Sequence, residues 1–272
     1  MSMPTWTTFS GVQQRFPRTV RGVLEVVLVL GLWAAYSLSR LLADTAMTPA
    51  LHRAHELLDI EKNLGIHWEL PLNHLFSAHA ALGLVGSYWY ATLHYIVTGI
   101  VLLWLYRVGT HTYVPARRAL AFATVLGLLI YLLMPTAPPR FLDGYVDVLD
   151  LHAADGWWSA DASAPRGLGG LTNELAAFPS LHAGWALWVA VAAQRHVRWS
   201  WVKMLGWAYA LGTAIVIVGT GNHWVLDVLV GWLVVIAGWL VADGLPLPAD
   251  RQVRPPGGPY VEAGTQAQLV AD

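Results

Sequence analysis

In Gly221-Asn222-His223-Trp224-Val225-Leu226-Asp227, an imidazole and a carboxylate stand four residues apart at the start of an apolar run. Positions i and i+4 share one helical face. Asp227 can therefore accept a hydrogen bond from one ring nitrogen of His223 and leave the other free to attack as a nucleophile. The same spacing also suits a structural polar pair that joins two helices. A second group, Phe178-Pro179-Ser180-Leu181-His182-Ala183-Gly184, opens another apolar run. Its proline suits a first helical turn, and the outward N–H groups of that turn suit an anion. Ser180 adds a hydroxyl donor and His182 stands beside it as a proton donor, although a plain capped helix start has the same residues. A third group, Pro135-Thr136-Ala137-Pro138-Pro139-Arg140, closes an apolar run at a stop that must leave the helix. Its guanidinium can grip phosphate oxygens in a planar fork without losing its charge; a lone Arg at a helix end also serves as a snorkelling side chain. Together these residues make a phosphoryl-transfer set: His223, His182 and Asp227 for catalysis, Arg140 and Ser180 for the phosphate.

The elements that must position them are membrane helices. The 272 residues are 56% hydrophobic and 12% charged, about half the charged fraction of a soluble domain. With no Cys there is no disulfide, thiolate chemistry or Cys-type zinc site, and no basic stripe points to nucleic acid. A crossing needs roughly 17 to 25 apolar residues. Six such runs are expected, at about 20–42, 88–106, 119–135, 181–194, 199–218 and 225–245, which makes the chain an all-α polytopic helical bundle. Between the first two, 43–87 reads as a pair of interfacial helices. The stretch 141–177 reads as a lid-like loop whose paired Trp157 and Trp158 suit the headgroup layer. The N-terminal segment 1–19 and the Pro- and Gly-rich tail 246–272 flank a single embedded catalytic domain, 20–245, and the tail reads as disordered.

Charge sets the orientation. With six spans, 11 of the 16 Lys and Arg residues fall on the face holding both termini, and the positive-inside rule makes that face cytosolic. The three groups then lie on the extracytoplasmic face of a plasma membrane protein.

In these three groups the chain resembles the phosphatidic acid phosphatase type 2 superfamily, which includes vanadium haloperoxidases. The family pattern, Lys-x6-Arg-Pro, Pro-Ser-Gly-His and Ser-Arg-x5-His-x3-Asp, is matched through Arg140, through Pro179, Ser180 and His182, and through His223 and Asp227. It is departed from at Leu133, Leu181 and Ile217, which stand where the family has Lys, Gly and Arg. Those departures, with Glu61-x-x-Leu64-Gly65-Ile66-x-x-Glu69 upstream, resemble the inositol phosphorylceramide synthase-like branch. The resemblance spans about 45–240 and implies a metal-independent membrane phosphatase or phosphotransferase with no cofactor. A phospholipid or polyprenyl (di)phosphate enters from the bilayer, His223 attacks phosphorus with help from Asp227, and His182 protonates the leaving oxygen. Water or an acceptor hydroxyl then takes the phosphoryl group. Tyr90, His94, Asn222, Glu61 and Glu69 are further expected contacts to substrate or acceptor; the two carboxylates could instead brace the arginines, and His94 could instead bond across helices. The rival classes are a metal-dependent hydrolase using His182, His223 and Asp227 as ligands, and a non-catalytic membrane scaffold.

Overall fold

The computed structural model describes residues 46–158 and 174–246, with positions 23, 25, 27 and 31 of a preceding helix. Apart from those four positions, the expected first span lies outside the described residues. So do the 1–19 segment, the middle of the expected lid with Arg166, and the tail beyond 246.

Apolar sequence with few charges leaves the backbone to satisfy its own hydrogen bonds, and helices do this within one segment. Two helices, α1 (Met47–Leu64) and α2 (Glu69–Ala78), occupy the segment expected to hold an interfacial pair. A third, α3 (Ala80–Tyr88), continues through a π-helical turn, Trp89–Leu93, into α4 (His94–Val108). Then follow α5 (Thr110–Leu133), a 3-10 turn at Pro139–Phe141, and the single-turn α6 (Val148–Leu151). The C-terminal half holds α7 (Leu181–His196), α8 (Ser200–Gly219) and α9 (Val225–Gly244). Among the described residues there is no strand; a parallel bridge joins Thr136 and Ala176.

Four helices are long and apolar enough to cross a membrane: the continuous Ala80–Val108, and α5, α8 and α9. The second span is thus longer than its expected 88–106. At 16 residues α7 is just shorter than the roughly 17 to 25 that a crossing needs, and the expected first span lies largely outside the described residues, so four of the six expected spans are found among the described residues. Outward-facing Leu103, Leu129, Leu211, Ile215, Leu233 and Leu240 are exposed, as lipid-facing positions must be.

The core is built where α9 packs along α5 and α7, and α7 along α8. The packing is close because small residues line the crossings. A Cβ on Gly231 of α9 would stand 2.2 Å from the Ser180 carbonyl oxygen, so only glycine lets α9 pass there. One expectation is corrected in the loop after α5. Trp157 is partly exposed, but Trp158 is fully buried and donates its Nε1–H to the Leu149 carbonyl at 2.9 Å. Its indole N–H finds a partner inside the protein, so it anchors the loop to α6 instead of sitting in the headgroup layer.

Candidate active site

The three groups meet at one end of the bundle because their loops are stitched together by backbone. Arg140 N–H donates to the Gly221 carbonyl at 2.9 Å, and Ser180 N–H to the Asp227 carbonyl at 2.9 Å. Trp224, at the N-cap of α9, is fully buried and donates its Nε1–H to the Ala137 carbonyl at 3.0 Å. Gly221 turns the chain between α8 and α9 with φ 77°, in the left-handed region that glycine tolerates best.

His223 is buried, and its Nδ1 lies 2.9 Å from the Ala177 carbonyl and 3.3 Å from Asp227 Oδ2. A carbonyl oxygen can only accept, so Nδ1 carries the hydrogen and the neutral ring keeps its lone pair on Nε2. Asp227 therefore shares the tautomer-setting task with a backbone carbonyl that is the closer partner. That carbonyl is held by the bridge, in which Thr136 N–H donates to Leu175 O at 2.7 Å and Ala177 N–H to Thr136 O at 3.3 Å. Burial, with the nearby Arg140 charge and against the Ala177 hydrogen bond, pulls the His223 imidazole down to about 3, so it stays neutral near pH 7.

His182, one residue into α7, places its ring centroid 5.5 Å from that of His223. The Nε2 atoms of both rings are enclosed and meet no hydrogen-bond partner. Ser180 is fully buried, and its Oγ caps α7 by accepting from Ala183 N–H at 3.2 Å, which leaves its own hydroxyl hydrogen as a donor. The first amide of α7, Leu181 N–H, donates to the Tyr131 hydroxyl at 3.3 Å.

Arg140 is aimed by two partners. Its Nη1 donates to Asn222 Oδ1, and its Nε lies 3.1 Å from Asp147 Oδ2. Asp147 also caps α6 by accepting from Leu149 and Asp150 N–H. Its carboxyl is pushed up by burial, an effect the Arg140 charge opposes. Asn222 is thus a brace for the guanidinium, its amide donating in turn to Thr220 Oγ1 at 3.1 Å. The positions where the family carries its other cations do not supply substitutes. Leu133 is 77% exposed at the end of α5, and Ile217 is fully buried, its carbonyl accepting from His223 N–H at 3.1 Å.

Glu61 and Glu69 are fully buried, yet neither pairs with an arginine among the described interactions. Glu69 Oε1 accepts from Val225 N–H at 2.8 Å and Glu61 Oε1 from Leu226 N–H at 2.7 Å, while Asp227 Oδ2 takes Trp224 N–H at 2.8 Å. Three side-chain carboxyl groups therefore satisfy the first amides of α9, the helix that follows His223. Burial first, and the Glu69 carboxyl next, push Glu61 up to about 9. Tyr90 and His94 also reach the site, each with its ring against that of His182. Sequence reasoning missed Ala177 and Asp147. A carbonyl leaves no mark on residue type, and one Asp in an Asp-rich loop carries no distinguishing spacing.

A family model described as the PAP2 superfamily matches residues 55–241. No curated protein and no solved structure matches the chain.

Proposed function

Because the chain belongs to the PAP2 superfamily and is a membrane-embedded protein of phosphatase type, we propose that it transfers the phosphoryl group of a lipid phosphate through a phosphohistidine on His223. The observation that carries this reading is the donation of His223 Nδ1–H to the Ala177 carbonyl, which leaves an unprotonated Nε2 on a ring whose centroid lies 5.5 Å from that of His182. In the first half-reaction the His223 Nε2 lone pair forms a bond to phosphorus. The bond from phosphorus to the leaving oxygen breaks, and the electron pair departs with that oxygen, which takes a proton from His182 in its imidazolium form, held protonated by the bound phosphate's negative charge, and leaves that ring neutral. Arg140 and the Ser180 hydroxyl hold the non-bridging oxygens. Asp227 and Ala177 stabilise the ring as positive charge develops on it. In the second half His182 removes a proton from the incoming hydroxyl, the N–P bond breaks, and His223 returns to its starting form. This sequence needs no metal.

Water as acceptor makes the enzyme a phosphatase. An alcohol makes it a transferase, such as an inositol-phosphate headgroup transferase acting on a lipid hydroxyl. By charge distribution, the site opens on the extracytoplasmic side of the plasma membrane, with both termini cytosolic.

The test is phosphate release by purified protein in detergent over phosphatidic acid, a polyprenyl phosphate and diphosphate, and a phosphoinositide, with chelator present and His223→Ala beside the wild type. Release that survives chelation and vanishes in the variant supports the reading. Release abolished by chelator in the wild type sinks it in favour of a metal hydrolase. Loss of the lipid phosphate only when an alcohol is added, with the phosphoryl group recovered on that alcohol and no free phosphate, identifies the transferase.

A further inference from the structure

The π-helical turn Trp89–Leu93 interrupts a helix that would otherwise run unbroken from Ala80 to Val108. Such turns insert a residue into the helical register and recur at functional sites. This one lies where the helix passes the proton donor. Tyr90, within the turn, stacks on His182 with ring centroids 4.4 Å apart and planes at 19°. His94, the residue after the turn, packs against the same imidazole at 4.0 Å and 60°. Both residues are less than a tenth exposed, and Tyr90 also reaches His223 at 6.3 Å. The His182 ring is thereby in contact with two rings offered four residues apart by one helix.

We propose that Tyr90 and His94 are positioning residues, an aromatic clamp that holds the His182 imidazole in the orientation from which it protonates the leaving oxygen. This rests on the phosphohistidine reading and assigns the two residues a task other than binding substrate. A proton relay from His94 to His182 does not fit the separation. An in-line N–H···N bond between two imidazoles sets their centroids about 5 Å apart, from a nitrogen–nitrogen distance of about 2.9 Å and the two ring radii; 4.0 Å is a packing contact. Flat rings in contact restrict rotation about the χ2 of His182, and a proton donor misplaced by about an ångström loses on the order of 100-fold.

The experiment separates proton donation from everything else the clamp could do. Full-length protein in detergent is assayed on two phosphate monoesters: a long-chain alkyl phosphate, whose alkoxide must be protonated to leave, and 4-nitrophenyl phosphate, whose phenolate leaves unaided. Tyr90→Leu and His94→Leu keep bulk and remove the flat ring. Each is expected to lower kcat on the alkyl phosphate by about 10- to 100-fold with KM little changed, and the rate of the nitrophenolate burst, which precedes the second half-reaction in which His182 acts as base, by less than about threefold, because general-acid help is small there. Phe at either position restores most of the lost kcat. Equal losses on both esters, or Phe variants as impaired as the Leu variants, overturn the clamp. A raised KM with kcat intact also overturns it and returns the residues to substrate binding. A wild-type protein that turns over neither ester fails at the earlier step, the phosphatase reading, before the variants are compared.

Discussion

Asn222 and Asp147 hold the Arg140 guanidinium, which on the proposed reading is the fork that grips the phosphate. Lysine presents a single point charge and cannot keep both partners while facing a phosphate. Arg140→Lys is expected to lower kcat/KM on the best lipid phosphate by about 10- to 100-fold, or roughly 1.4 to 2.7 kcal/mol of transition-state stabilisation, read from initial rates. Asn222→Ala removes one of the two partners and is expected to lower kcat/KM less, in the same assay. At this scale the sequence was legible where a particular side-chain type and spacing stand out. His223, Asp227, His182, Ser180 and Arg140 were singled out in that way, and the structure gathers all five at one end of the bundle. Where backbone does the work, type says nothing, so the Ala177 carbonyl that sets the His223 tautomer had no sequence mark.

Between elements, the close passage of α9 over the start of α7 is fixed by Gly231. A methyl there meets the Ser180 carbonyl, which belongs to the chain segment that leads into His182. Gly231→Ala is expected to destabilise the protein by about 1–3 kcal/mol through overpacking, seen as a lower melting temperature in detergent, and to reduce activity more than a comparable loss of stability elsewhere. Helices were readable from apolar runs, since in lipid an apolar segment has few alternatives. Their limits were less so. The run expected at 88–106 begins instead at Ala80, because the Gly- and Ala-rich residues before Tyr88 continue the helix. Glu61 and Glu69 were legible as unusual and illegible in role, because the amides they cap lie 165 and 156 residues away in sequence.

Across the whole molecule, buried Glu61 couples stability to pH. The Glu61 value of about 9 in the folded protein stands above its ordinary 4.5, so the folded chain holds a proton the unfolded chain gives up. The contribution is complete below about 4.5 and is lost as pH rises toward 9. His223 has the opposite sign, its value lowered from 6.5 to about 3, and its contribution is lost as pH falls below about 6.5. Between about pH 7 and 9 it is neutral in both states and drops out. The melting temperature in detergent is therefore expected to fall across that interval, and Glu61→Gln, which keeps an acceptor oxygen and carries no charge, is expected to flatten the fall. A slope unchanged in the variant would remove Glu61 as its source. The two long-range caps have one more consequence, for biosynthesis. The start of α9 is secured by residues made early in the chain, and His223 and Asp227 are made late, so a ribosome that has finished α1 to α8 has assembled no working centre. On the proposed reading, the centre is completed last, when α9 is made and its first amides meet carboxyl groups made long before.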